Sequence, residues 1–291
     1  MSQHTAQNGP PEIPRDAYPM ARLTSEFFLR SIDLLTRVQG DKLISGLVFM
    51  AVWHNHMKAP GSGAVGVREL SRRLNLPYET VRRHAVALAR AGQCTATRDG
   101  IAVVPSVLKS RANVAVMRKL YFNTERMLVE LTRAGLAKFQ LPPGAASRRG
   151  NLTPAQIAIA TASTGQLLAG IRMLGDLWHG DLLRGLVFTA IWTANVKHVT
   201  NTAPAVSQTV LPDELRLPVS VLAISSSLRL PYETVRRHAL ALEKAGMCHR
   251  VRRRGLVVPA EAHLKLASGT VQAHGIVTAL FVELRRAGLK A

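Results

Sequence analysis

The side chains with the clearest chemistry lie together on one short stretch. Drawn at 100° per residue, residues 77–91 (PYETVRRHAVALARA) separate into two faces. Val81, Ala85 and Leu88 share one face and must point inward. Glu79, Arg83, Ala87 and Arg90 share the other, flanked by Arg82 and Thr80. A guanidinium on such a face can donate two parallel hydrogen bonds to O6 and N7 of guanine, and a carboxylate can accept from N4 of cytosine. Small Ala87 lets the helix approach a groove floor. Tyr78, at the start of the stretch, is placed to touch a phosphate.

The same face occurs twice. LPYETVRRHA stands at residues 76–85 and again at 230–239, so Tyr232, Glu233, Thr234, Arg236, Arg237, Ala241 and Lys244 repeat the first set. Each copy is followed by a short alternating segment that reads as a β-hairpin. The first carries Asp99-Gly100, a hairpin-turn dipeptide, with Arg98 beside it. The second is HRVRRRGL, where Arg250, Arg252, Arg253 and Arg254 crowd together. Cations packed that densely suit phosphates or a narrow minor groove, so the second copy is expected to hold a duplex more tightly.

The elements that position these residues also repeat. GLVFMAVW (46–53) mirrors GLVFTAIW (185–192), and LVELTRAGL (128–136) mirrors FVELRRAGL (281–289). The spacing predicts helices over 24–38, 41–57, 67–75, 77–91 and 110–135, with the hairpin over 93–105. The second copy should follow with helices at 163–178, 180–198, 220–229, 231–245 and 263–288, and a hairpin at 247–259. This divides the chain into a disordered, proline-bearing tail (1–19), a first repeat (20–140), a linker (141–154) and a second repeat (155–291). About 15 additional residues in the second copy, between Lys197 and Leu217, have loop composition.

A short helix, a tight turn, a second helix and a hairpin make the order of a winged helix-turn-helix. VRELSRRLNLPYETVRRHAVALARAGQC resembles the DNA-reading heads of bacterial transcription regulators of the MarR, GntR and IclR kind. Their TV-R-x-x-L-x-x-L-x-x-x-G run is matched by Thr80, Val81, Arg82, Leu88 and Gly92, and by Thr234, Val235, Arg236, Leu242 and Gly246. Ala85 and Ala239 depart from it, standing where those families carry an apolar Leu. The resemblance covers about 45 residues per copy and leaves the flanking helices unassigned. It implies a mainly α fold with small β-wings, in which two tandem winged helix-turn-helix repeats form a pseudo-dimer.

Charge agrees with that expectation. Lys+Arg 38 against Asp+Glu 18 leaves +20, more than a small-metabolite enzyme needs, and points to nucleic acid or an anionic surface. The most apolar stretch, Leu43 to Trp53, is short for a bilayer span, and the first residues lack the pattern of a secretory signal. Two cysteines make neither a disulfide scaffold nor a zinc site, so a reducing cytoplasm, with nucleoid association, is expected.

Several other signals carry less. GSGAVG (61–66) fits G-x-G-x-x-G but follows a helix rather than a strand, and reads as a loop. His54 and His56 are two apart and point to different sides of a helix, so no metal is expected. His84 and His238 border the inward face, where phosphate contact and packing are both open. Cys94 and Cys248 read as small buried side chains, and Trp53 and Trp192 as core. No nucleophile, acid pair or phosphate loop marks an enzyme, and no cofactor is implied.

The expectation is therefore a double-stranded DNA-binding transcriptional regulator, monomeric as a pseudo-dimer or homodimeric. A plasmid-type replication initiator and a non-catalytic interaction scaffold are the alternatives. The repeats consume the chain's length and leave no third domain for an effector. Control then falls to abundance or to a regulatory protein docked on the loops, with a pocket between flanking helices as the other route.

Overall fold

The computed structural model describes residues 13–58, 63–140, 152–200, 210–252 and 254–290. Its elements run α1 (Ala17–Val38), α2 (Leu43–Lys58), α3 (Val67–Leu74), α4 (Tyr78–Arg90), β1 (Cys94–Thr97), β2 (Gly100–Val103), α5 (Pro105–Leu108) and α6 (Arg111–Arg133). The second copy follows as α7 (Pro154–Leu177), α8 (Leu182–Thr200), α9 (Val221–Leu228), α10 (Tyr232–Lys244), β3 (His249–Val251), β4 (Gly255–Val257), α11 (Ala260–Lys265) and α12 (Ala267–Arg286). The molecule is mainly helical with small antiparallel strand pairs, as the sequence predicts.

Two helices start earlier than their apolar periodicity suggested. Residues 17–19 are not a disordered tail: Ala17, Tyr18 and Pro19 open α1 and are buried. Pro19 sits in the first turn, where a helix has no use for the missing N–H. Residues 1–12 lie outside the described set, as do 141–151 of the expected linker. Likewise α7 begins at Pro154 rather than 163. Thr153 Oγ1 accepts from the Gln156 backbone, and the Gln156 side chain accepts from the Thr153 N–H, closing a capping box with proline at the first position. The resulting helix is long and apolar enough to cross a membrane, yet half of its apolar window is buried within the protein.

The copies are interlocked rather than strung side by side. Helix α1 packs on α2 and α6 of its own copy and on α8, α9 and α12 of the other; α7 packs on α8 and α12, and on α2, α3 and α6. Each cross-copy contact thus has its counterpart, the pattern of an isologous interface folded into one chain. One apolar core, from Met20 to Leu289, runs through both copies. The repeat boundaries mark repeated elements but not separate cores.

The end of the added segment in copy two is built in, not loose. Arg216 is buried and donates to the carbonyls of Leu211 and Val258, while Asp213 accepts from the Ala260 N–H at 2.7 Å. Asn195, fully buried, donates to the carbonyls of Leu217 and Leu256 and accepts from Val258 N–H. Residues 201–209 of the same segment lie outside the described set.

Candidate nucleic-acid interface

The turn between α3 and α4 is fixed in the same way in both copies. Ser71 Oγ donates to the Leu76 carbonyl at 2.6 Å, and Ser225 Oγ to the Leu230 carbonyl at 2.7 Å. Asn75 (φ 45°) and Arg229 (φ 53°) hold the left-handed position that ends the first helix. Each turn then docks on the first helix of the other copy. Asn75 donates to Asp176 on α7 at 2.8 Å; Arg229 donates to Asp33 on α1 at 2.7 Å and to Asp41 at 3.2 Å. Gly175 permits the first of these approaches, since a Cβ there would lie 2.9 Å from the Asn75 Cβ. The interlock therefore sets where each α3–α4 pair stands relative to the other.

Helices α4 and α10 present the two faces expected of them. Val81, Ala85 and Leu88 are buried, as are Val235, Ala239 and Leu242. Tyr78, Glu79, Arg82, Arg83, Ala87 and Arg90 are exposed, with Thr80 half-buried. In copy two Tyr232, Glu233, Arg236, Arg237 and Lys244 are exposed, with Thr234 and Ala241 half-buried. His84 is taken up by packing: its Nδ1 lies 2.8 Å from Ser45 Oγ on α2, and burial, with Arg83 and Lys42 nearby, lowers its pKa. His238 faces Asp181 at 3.7 Å, and burial again lowers its pKa.

The cations on these faces divide into two groups. Arg82 pairs with Glu79 at 2.8 Å and Arg236 with Glu233 at 2.6 Å, both one turn apart on their own helices. That hydrogen bond holds the Glu233 carboxyl below its ordinary range. Each glutamate is thereby engaged within the protein. Arg250 is likewise drawn back to Glu243 at 3.1 Å. Arg83, Arg90, Arg98, Arg237, Lys244, Arg252 and Arg254 are exposed and have no carboxylate within ion-pair distance among the described residues. Arg253 lies outside the described set.

The hairpins differ from their sequence reading in one respect. In the first, Thr97 pairs with Gly100, so the two turn residues are Arg98 and Asp99, neither with positive φ. Gly100 instead opens β2 at φ 133°, and Gly255 opens β4 at φ 129°. Both glycines lie under the strand-like residue that precedes α3 or α9. Val65 bridges Ile101 and Val219 bridges Leu256, and a Cβ on either glycine would fall 2.3 Å from the Val65 or Val219 carbonyl oxygen. Each hairpin is thus clamped to the base of its helix pair. In the second, Val251 pairs with Gly255, and the Arg254 N–H donates to the Val251 carbonyl.

Two residues on these faces went unremarked in the sequence. Val86 and Leu240 lie on these faces, 39% and 37% exposed. The same 100° wheel places Val86 beside Arg83, so the signal was there. The thiols of Cys94 and Cys248 are buried, which pushes both pKa values up to about 12. Trp53 and Trp192 are buried as expected. Of 61–66, residues 61 and 62 lie outside the described set, while the Gly63 and Ala64 carbonyls accept from Asn55. No cluster of metal-ligating side chains occurs among the described residues. No family model, curated protein or solved structure matches this chain.

Proposed function

We propose that the chain is a sequence-specific, double-stranded DNA-binding transcriptional regulator, in which two winged helix-turn-helix units fused in one chain act as a pseudo-dimer. The observation that carries this reading is the pair of repeated helix faces. Arg83 and Arg90 on α4, and Arg237 and Lys244 on α10, stand exposed and uncompensated on helices whose opposite faces are buried. A helix of this kind fits a major groove, where Arg83 and Arg237 are the groups that read guanine. Tyr78 and Tyr232 contact phosphates, and the arginines of the second hairpin track the backbone or minor groove.

The mechanism is rigid presentation. The docked turns fix the separation of the two reading helices, so recognition needs two similar half-sites spaced by about 10 bp or a multiple of it. DNA affinity is then intrinsic to the folded chain. The test is genome-wide mapping of bound sites in the source organism. Enrichment upstream of transcription units supports the proposal. Enrichment confined to direct repeats at an AT-rich origin points instead to replication initiation. Absence of any salt-sensitive DNA binding refutes both and leaves a protein-interaction scaffold.

A further inference from the structure

The two outward helices α4 and α10 are near-copies, but the elements on either side of them are not. Matched residue for residue, α3 carries Arg68, Glu69, Arg72 and Arg73 where α9 carries Leu222, Ala223, Ser226 and Ser227. Glu69 pairs with Arg72 and, at 2.8 Å, with Arg73. Arg68, the second residue of α3, is exposed and has no carboxylate within ion-pair distance among the described residues. Its counterpart Leu222 is 63% exposed. The helix starts differ as well. Ser220 Oγ accepts from the Ala223 N–H at 3.1 Å, whereas Gly66, in the same place of copy one, gives α3 no side-chain cap. Copy one thus offers a cation beside open N–H groups, a combination that favours an anion. Copy two offers a leucine and a closed cap.

The hairpins are unequal in the opposite sense. Arg98 stands beside Asp99 in copy one, both exposed, so that turn carries no net charge. In copy two Arg252 and Arg254 are exposed, and no acidic residue occurs from 249 to 258.

Packing fixes how the copies face each other. Asn75 and Arg229 are equivalent residues, and each bonds the first helix of the other copy, through Asp176 and Asp33. Helix α1 packs on α8, α9 and α12 as α7 packs on α2, α3 and α6. Such reciprocity requires an approximate two-fold axis between the copies. A two-fold axis carries the outward helices to inverted half-sites, not direct ones.

We propose that this chain binds an inverted repeat in one fixed orientation, with the hairpin of copy two over an A/T-rich flank and Arg68 on a phosphate of the opposite half. The proposal rests on the duplex-reading function above. Residues 76–85 and 230–239 are identical, so the halves give little direction and the unequal flanking elements supply it. An A/T-rich flank narrows the minor groove and concentrates negative potential, which attracts Arg252 and Arg254 more than the neutral Arg98-Asp99 turn.

The test aligns duplexes selected from a randomised pool and maps them with a DNA-cleaving iron chelate attached at Thr95→Cys, on the hairpin of copy one. Cys94 and Cys248 are buried, so the new thiol alone is labelled. Selected sites should be inverted repeats with an A/T-rich flank at one end, and cleavage should fall at the other end. Exchanging that flank for G/C should weaken binding by about five-fold. Replacing both Arg252 and Arg254 by Ala should abolish the flank preference and bring cleavage to both ends. Arg68→Leu should make the dependence of log K on log salt shallower by about 0.9, and Leu222→Arg should steepen it by as much. Direct repeats, matching flanks at both ends, or wild-type cleavage at both ends overturns the proposal and leaves duplex reading intact. An unchanged salt slope in Arg68→Leu overturns the α3 contact. Absence of salt-sensitive binding by the wild-type chain refutes duplex reading itself.

Discussion

Salt is the perturbation that best separates the uncompensated cations from those already neutralised by the protein. Among the predicted site residues, seven described cations face outward without a carboxylate partner: Arg83, Arg90, Arg98, Arg237, Lys244, Arg252 and Arg254. If each neutralises one phosphate, counterion release gives log K against log salt a slope of about −6, from ~0.9 per contact. Between about 50 and 200 mM salt that is a loss of roughly 5,000-fold in affinity. Counting every cation at the sites predicted from sequence would instead give about −10. Arg82, Arg236 and Arg250 make about 2.7 of that difference, because their countercharge is an intramolecular glutamate rather than a released ion, and Arg253, outside the described residues, makes the rest. Fluorescence anisotropy with a random 30-bp duplex measures the slope directly. Arg252→Ala should make it shallower by about 0.9, whereas Arg82→Ala should leave it unchanged. A wild-type slope of about −3 or shallower, or equal effects of the two substitutions, would refute the reasoning.

Other consequences follow from the fold. Gly100→Ala should destabilise the protein by about 3 kcal/mol or more in urea, through a strained φ and a clash with the Val65 carbonyl. Gly135→Ala, at φ +70° with open space around it, should cost only about 1 kcal/mol; equal costs would show that the hairpin is not clamped. His263 and His54 have pKa values lowered to about 3 and about 4 by burial, so the unfolded chain takes up their protons first. Their contribution to stability is complete above about pH 6.5 and is lost as pH falls toward 4, at up to ~1.4 kcal/mol per pH unit each. A thermal midpoint that stays flat over that range contradicts this. Residues 1–140 expressed alone should not give a folded monomer, but should assemble with separately expressed 141–291, as judged by size exclusion and circular dichroism. Neither cysteine should react with Ellman's reagent until the protein is unfolded.

What the sequence made legible was whatever repeats at the helical or strand period. The inward and outward faces of residues 77–91 follow from Val81, Ala85 and Leu88 alone, and the structure buries all three. The hairpin was legible from its glycine, but its turn was not. Gly100 serves close packing under Val65, a long-range contact that local turn preferences do not encode. The start of α7 was signalled by the Thr153–Gln156 capping box and was masked by small residues that blur apolar periodicity. The interlock was hidden for a different reason. An apolar stripe on α1 looks the same whether it packs on its own copy or on the other, and only the three-dimensional pairing of Arg229 with Asp33 decides between them.

The central claim is that two repeated helix faces read two similar stretches of duplex DNA. Selection of bound duplexes from a randomised pool at about 150 mM salt, in the range where non-specific contacts weaken, tests it most directly. The wild-type chain should enrich a site of two similar halves whose centres are about 10 bp, or a multiple of that, apart. Arg83→Ala and Arg237→Ala should each relax base preference in one half at a cost of ~1–3 kcal/mol, leaving the other half intact. Enrichment of one undivided, non-repeating sequence, or of no sequence at all, would contradict the account.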